Sequence, residues 1–168
     1  MKVLVVYHSR TGHTRRLAER IAQELRADLA AIEEQHPATG PMGWLRTRLQ
    51  ALLGQAAPIR PPRRSPADYD LVLVGTPVLG WRLAAPVRTF ARNWRGRLPN
   101  VAFFATSNGA DARPAFDELR RLLARPPLAE LVIAADAIGA LPLARGRSQL
   151  RQYVRQLQPM GDAQPEAA

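Results

Sequence analysis

The chain of 168 residues contains no cysteine and a single lysine, Lys2. Without cysteine, disulfides, thiolate metal ligands and thiol chemistry are excluded. Histidine is also scarce, and His8, His13 and His36 do not have the spacing of metal ligands, so no metal site is expected. No apolar run approaches the length of a transmembrane segment, and the N-terminus enters a strand at once without a signal-peptide pattern. A cytoplasmic protein is therefore the default expectation.

The near absence of lysine means that arginine carries almost all of the formal net charge of +10. So basic a chain raises nucleic-acid binding as a function. The arginines are spread over the whole chain, however, and together with abundant alanine, leucine and proline they indicate a coding bias towards arginine. We therefore disfavour a nucleic-acid partner, although a basic surface favours anionic small molecules or acidic partners.

Five apolar stretches alternate with segments of helical periodicity along the chain. The stretches cover residues 3–7, 28–34, 71–75, 101–106 and 131–135, and the last helix is predicted over 148–157. This alternation predicts an α/β protein with three layers, in which helices cover both faces of a parallel sheet.

We interpret residues 1–158 as one domain that carries an insertion over 36–66. Six prolines surround a short amphipathic helix predicted at 42–53 in this insertion. We interpret that helix as packed on the sheet or at a homodimer contact, in preference to a lid over a ligand or a contact with a membrane surface. Residues 159–168 form a polar tail that is expected to be disordered.

A short polar loop follows the first strand and leads directly into a helix. It contains three hydroxyl side chains and a glycine in six residues, Ser9, Arg10, Thr11, Gly12, His13 and Thr14. A helix N-terminus presents unpaired N–H groups and the positive end of the helix dipole, and a single hydroxyl is enough to cap it. The additional hydroxyls predict a site for an anion, most naturally a phosphate.

Two further loops follow the third and fourth strands. The first is unusually apolar and consists of Thr76, Pro77, Val78, Leu79, Gly80 and Trp81. The second is polar and includes Thr106, Ser107, Asn108, Gly109 and Asp111. Because the carboxyl ends of parallel strands lie at one edge of a sheet, the three loops should form one composite site, in which the apolar loop favours a flat apolar ligand.

The pattern Ser9-x-Thr11-Gly12-x-Thr14, together with the segments 75–81 and 103–109, resembles the flavodoxin family. The resemblance implies a five-stranded parallel sheet of order 2-1-3-4-5 and FMN as the cofactor. It also implies that residues 9–14 hold the FMN phosphate, that residues 76–81 flank the isoalloxazine ring, and that residues 106–111 contact its other side or its pyrimidine edge. Asn108 departs from the pattern, since relatives often have a second glycine there.

The function implied by the resemblance is electron transfer, or NAD(P)H-dependent reduction of a small acceptor such as a quinone. No residue need act as an acid, base or nucleophile, because FMN itself performs the redox chemistry. The basic charge is opposite to the acidic surface of electron-carrier flavodoxins, so we favour an oxidoreductase over a pure carrier. The alternative is a flavodoxin-fold binding module without flavin that contacts nucleic acid through its arginines.

Overall fold

The computed structural model describes residues 1–35, 57–78, 80–138 and 144–157. Within these ranges five strands form one sheet, namely β1 (Val3–Tyr7), β2 (Asp28–Ala31), β3 (Leu71–Pro77), β4 (Asn100–Ser107) and β5 (Pro127–Ala134). The strand order is β2-β1-β3-β4-β5, and every neighbouring pair is parallel. The predicted α/β fold and the strand order implied by the resemblance are both confirmed.

Helices cover both faces of the sheet and divide its core into two clusters. They are α1 (His13–Leu25), α2 (Ala85–Asn93), α3 (Arg113–Leu123) and α4 (Ala144–Leu157). Residues of α1 and α4 pack with one face of the sheet, whereas residues of α2 and α3 pack with the other. All five residues of β1 are buried because this strand is covered on both faces, which explains its continuous apolar run.

Strand β2 is shorter than predicted. It ends at Ala31, although the sequence pattern extended it to Glu34. As an edge strand it buries little of its surface, and Glu34 instead forms an isolated antiparallel bridge with Ile59. The chain therefore leaves the sheet early and pairs with the later part of the 36–66 insertion.

Strand β5 and helix α4 each begin four residues before their predicted starts. The side chains of β5 alternate between exposed and buried, so its first half lacks the continuous apolar run used to find buried strands. Pro127 is tolerated there because it is the first residue of the strand. The helix predicted at 42–53 and the tail predicted at 159–168 lie outside the described residues.

Gly75 in β3 allows a close approach between two neighbouring strands. It lies opposite Phe104 of β4 in the strand register. A Cβ atom at this position would lie 2.1 Å from Phe104 Cζ, far inside van der Waals contact. The Phe104 ring, fully buried, therefore lies directly over the glycine and belongs to the same core cluster as Tyr7.

The strand order determines where the site can form. β3 lies between β1 and β4, and all three run in the same direction. Their carboxyl ends therefore meet at one edge of the sheet, and the three loops identified from the sequence leave from that edge.

Candidate functional site

The loop after β1 leaves polar groups without protein partners at the start of α1. Gly12, the N-cap residue, has a left-handed backbone with φ 88°, and no side chain caps the helix. Ser9 Oγ and His13 Nδ1 are buried atoms that have no hydrogen-bond partner in the described part of the chain. Buried polar groups without partners are rare in folded proteins, which makes this loop a candidate site for a ligand.

These groups fit a phosphate. The backbone N–H of Arg16 donates to the Gly12 carbonyl at 3.0 Å, which places the first helical hydrogen bond directly after the loop. The first turn of α1 contains no acidic residue, which would occupy the positive end of the helix or repel an anion from it. A phosphate group here would accept from free backbone N–H groups, from the Ser9 hydroxyl and from His13.

The other residues predicted in this loop divide between surface and core. Arg10 and Thr11 are exposed. Thr14 is buried, and its Oγ1 lies 2.8 Å from Thr106 Oγ1 in β4. The two hydroxyls therefore hold α1 against β4, a structural role that spacing within the loop did not reveal.

The loop after β3 is fixed at both of its ends. At its start, the Val78 N–H donates to the Thr106 carbonyl of β4 at 2.9 Å. At its end, the Ala84 N–H donates to Thr76 Oγ1 at 3.4 Å, and the same hydroxyl donates to the Pro77 carbonyl at 3.0 Å. Thr76, Val78 and Thr106 are thus buried residues that hold the loop in place without being exposed in the site.

The tip of this loop carries an exposed aromatic side chain. Gly80 and Trp81 both have positive φ angles, 54° and 67°, and Trp81 is 61% exposed. A non-glycine residue in the left-handed region is uncommon and costs free energy, which makes Trp81 a candidate for function. Leu79 lies outside the described residues.

The loop after β4 uses much of its own polarity internally. Ser107 Oγ donates to the Ala110 carbonyl at 2.5 Å. Asp111 accepts from the backbone N–H of Arg113 at 3.0 Å and from its guanidinium at 2.9 Å, and this side-chain bond lowers the pKa of Asp111. Gly109 has φ 86°, while Asn108 is exposed at the turn. Unlike Ser107 and Asp111, the exposed Asn108 side chain is therefore available for a ligand.

Residues 9–14 are called the anion loop below. His8 comes directly before them and was not among the predicted site residues. It is buried, its Nδ1–H donates to the Ile32 carbonyl at 3.2 Å, and its Nε2 lies 3.7 Å from Glu34 Oε1. Burial lowers the pKa of His8, against the opposing effects of the bond to Ile32 and the Glu34 charge. Its position at the end of an apolar run was the available signal.

A cleft of about 650 Å³ opens beside His8, on the β2 side of the loop. Polar residues that line it include Ser9, Arg10, Arg15, Glu34 and Arg60. The anion loop therefore has solvent access from this side of the sheet edge.

Arg88, which is buried, and Glu118, whose side chain is 17% exposed, form an ion pair that sequence reasoning also missed. Arg88 is completely buried, and its Nε and Nη2 donate to the two carboxylate oxygens of Glu118 at 2.5 and 3.2 Å. The small residues Ala85 and Ala91, three positions before and after Arg88, were the signal that it lies on a covered face of α2.

The described ranges contain neither a cluster of metal ligands nor a membrane-spanning helix. No group of three or more histidine or acidic side chains there could hold a metal ion. None of the helices in these ranges combines the length and the apolar character needed to cross a bilayer.

A doubly wound parallel sheet of order β2-β1-β3-β4-β5, with three loops at the same edge after β1, β3 and β4, defines an α/β protein of flavodoxin-like fold. The chain belongs to the flavodoxin family, since the family model described as Flavodoxin matches residues 2–131.

Similarity to individual proteins adds to this assignment. Over 90 residues the chain is 40% identical to an NAD(P)H dehydrogenase (quinone) from Gluconacetobacter diazotrophicus, a match that covers 53% of this chain. It covers only 44% of that relative, so the chain spans less than half the length of the curated relatives it matches.

Two solved structures share the fold at low sequence identity. A flavoprotein in complex with FMN from Lactobacillus acidophilus superimposes with a TM-score of 0.69 and 20% identity, covering 84% of this chain and 99% of that one. Oxidised flavodoxin 2 from Bacillus cereus gives a TM-score of 0.60 and 15% identity, with 95% and 99% covered.

Proposed function

We propose that this chain binds FMN at the sheet edge formed by β1, β3 and β4. The observation that carries the proposal is the pair of buried, unpartnered atoms Ser9 Oγ and His13 Nδ1 at the uncapped start of α1. Membership of the flavodoxin family supports it, as does the fold shared with a flavoprotein in complex with FMN.

Each loop has a separate task in this proposal. The anion loop holds the phosphate through Ser9, Thr11, His13 and free backbone N–H groups at the start of α1. Trp81 supplies an aromatic face for the isoalloxazine ring, because its side chain is exposed at the loop tip. Asn108 is the polar side chain free to reach the other side of the ring.

When bound, the flavin accepts and donates the electrons, and the protein positions and tunes it. No side chain at this edge is assigned as an acid, base or nucleophile. We propose NAD(P)H as the electron donor and a small molecule such as a quinone as the acceptor. The partial similarity to NAD(P)H dehydrogenases (quinone) supports this assignment, and the positive charge of the chain favours an anionic donor.

Cofactor choice tests the first half of the proposal. The apoprotein is titrated with FMN, riboflavin and FAD, and binding is followed by flavin fluorescence. We expect FMN to bind most tightly, because the edge offers one phosphate site and no second glycine-rich turn for a pyrophosphate. Tighter binding of FAD, or equal binding of FMN and riboflavin, would contradict the assignment of the anion loop.

Steady-state assays test the second half. The FMN-loaded protein is mixed with NADH or NADPH and a soluble quinone, and nicotinamide oxidation is followed by absorbance. Turnover that requires both the flavin and the quinone supports the oxidoreductase. Bound flavin that no nicotinamide reduces would instead indicate an electron carrier, and a protein that binds no flavin would indicate a binding module.

A further inference from the structure

Arg88 is the largest fully buried side chain among the described residues. It lies in the first turn of α2, where its backbone N–H donates to the Ala84 carbonyl at 3.0 Å. Its guanidinium donates to Glu118 with two nitrogens, and Nη2 also donates to the Leu83 carbonyl at 3.2 Å. The charged group therefore contacts both another helix and the end of the loop after β3.

The position of this pair connects two parts of the proposed flavin site. α2 follows the loop that carries Trp81, and α3, which carries Glu118, follows the loop that carries Asn108. Leu83 is itself fully buried and lies two residues after Trp81. The Arg88 guanidinium therefore contacts the C-terminal end of the loop that carries Trp81. Its partner Glu118 belongs to α3, the helix that follows the loop carrying Asn108.

Stability alone does not explain a buried ion pair. Desolvation offsets much of the attraction between the charges, and well-packed apolar side chains of similar volume can replace such pairs with little loss of stability. An apolar pair cannot, however, donate a hydrogen bond to the Leu83 carbonyl. The distinctive contribution of Arg88 is therefore the direction and position that it imposes on this carbonyl.

We propose that Arg88 is a positioning residue that fixes the loop tip at Gly80–Trp81 through the Leu83 carbonyl, with Glu118 orienting its guanidinium. The loop is held at its start by the Val78 N–H and at its end by the Ala84 N–H, and the bond from Arg88 to the Leu83 carbonyl adds a fixed point one residue closer to Trp81. The effect on flavin binding rests on the proposed function, whereas the effect on the loop itself does not.

The loop effect is tested without flavin. Trp81 is made the only tryptophan by W44F and W94F, and the apoprotein with or without R88M/E118L is compared by time-resolved fluorescence anisotropy. We expect the urea midpoint to fall, because the buried Leu83 carbonyl loses a donor, and the Trp81 indole of the folded variant to gain a fast component of motion. A folded double variant whose Trp81 anisotropy is unchanged would overturn the proposal.

Two further variants keep the test sharp. R15M/E19L removes an exposed ion pair of α1 and should leave the Trp81 anisotropy unchanged. R88K retains the charge beside Glu118 but loses the planar fork that reaches two partners at once, so it should also increase Trp81 motion. If the double variant does not fold, R88K decides the test. Unchanged anisotropy in R88K would then overturn the proposal.

Flavin affinity provides a second readout. Because the phosphate loop is untouched, R88M/E118L should weaken FMN and riboflavin by the same factor, about tenfold. A loss confined to FMN would show that the pair acts through the phosphate loop and would overturn the assignment to Trp81. If the parent protein binds no flavin, the proposed function fails, while the anisotropy result still decides the role of Arg88.

Discussion

The two loops that matter most at the sheet edge are held in place by opposite means. The anion loop, residues 9–14, takes its shape from a left-handed glycine and a helix start, and it leaves Ser9 Oγ and His13 Nδ1 without partners. The Trp81 loop, residues 78–84, is tied down at both ends by contacts from β4, Thr76 and Arg88.

This difference separates recognition from positioning. A loop whose own polar atoms lack partners has those atoms available for a ligand. Substitutions in such a loop should therefore affect binding more than folding. A loop fixed by long-range contacts depends on residues that never touch the ligand, so changes to those residues should affect folding or geometry first. Four substitutions test this division.

The largest expected effect comes from removing the carboxylate that faces the buried Arg88 guanidinium. Glu118→Ala should lower the free energy of unfolding by about 3–5 kcal/mol, because the buried Arg88 guanidinium loses both of its hydrogen bonds to the carboxylate. The change is measured by urea unfolding followed by circular dichroism.

Glu19→Ala is the matched control for this loss. It removes an exposed carboxylate from an ion pair with Arg15, and its cost should be under about 0.5 kcal/mol. Equal losses for the two variants would mean that the Trp81 loop does not depend on a buried contact.

The second substitution addresses the anion loop directly. Ser9→Ala should leave stability unchanged, because the hydroxyl has no protein partner to lose. FMN affinity should fall at least about tenfold, since a hydrogen bond to a charged acceptor contributes about 1.5–3 kcal/mol. Parallel titrations with riboflavin, which lacks the phosphate, should show no change.

Ser65→Ala, at an exposed serine that makes no side-chain cap, serves as the control for Ser9→Ala. A loss of riboflavin affinity equal to the loss of FMN affinity would move Ser9 from recognition to positioning.

The third substitution concerns a residue of the anion loop that faces the core. Thr14→Val should destabilise the fold by about 1–3 kcal/mol, because it leaves the buried Thr106 hydroxyl without its partner. Its effect on FMN affinity in the folded protein should be smaller than that of Ser9→Ala. Thr14→Ser keeps the hydroxyl and should restore most of the stability, which thermal unfolding can measure.

The smallest effect is a dependence of stability on pH. Because burial lowers the pKa of His8 below its ordinary value of 6.5, the unfolded chain takes up a proton before the folded one as the pH falls. Stability is therefore complete above that value and decreases below it until the folded His8 is protonated. His8→Gln should flatten this part of the profile in urea unfolding at a series of pH values, and an unchanged slope would exclude His8 as its source.

The same division explains what the sequence could predict. The alternation of strands and helices follows from short stretches such as Val3–Tyr7, where neighbours in sequence are neighbours in space, whereas the strand order came from the resemblance to the flavodoxin family. The bond between Thr14 and Thr106 joins residues 92 positions apart, and Arg88 meets Glu118 across 30 positions. No local periodicity identifies such pairs, so their roles required the structure.

The assignment of cofactor contacts within the loops was limited for a related reason. Asp111 is a residue type that often binds ligands, yet its carboxylate accepts a hydrogen bond from the Arg113 side chain two residues later. Residue type indicated which groups could bind a ligand, but only the contacts show which of them are already occupied. The predicted roles of Asn108, Trp81 and the remaining loop residues stay predictions until flavin is titrated.

The close approach of Gly75 and Phe104 also limits the order in which this family member can change over evolutionary time. Any side chain at Gly75 would collide with the Phe104 ring, whereas a smaller residue at Phe104 would leave only a cavity. Mutational paths through this pair are therefore directional: the ring must shrink before the glycine can acquire a side chain. Among descendants of this sequence, the two positions should covary, with Gly75 the slower to be replaced.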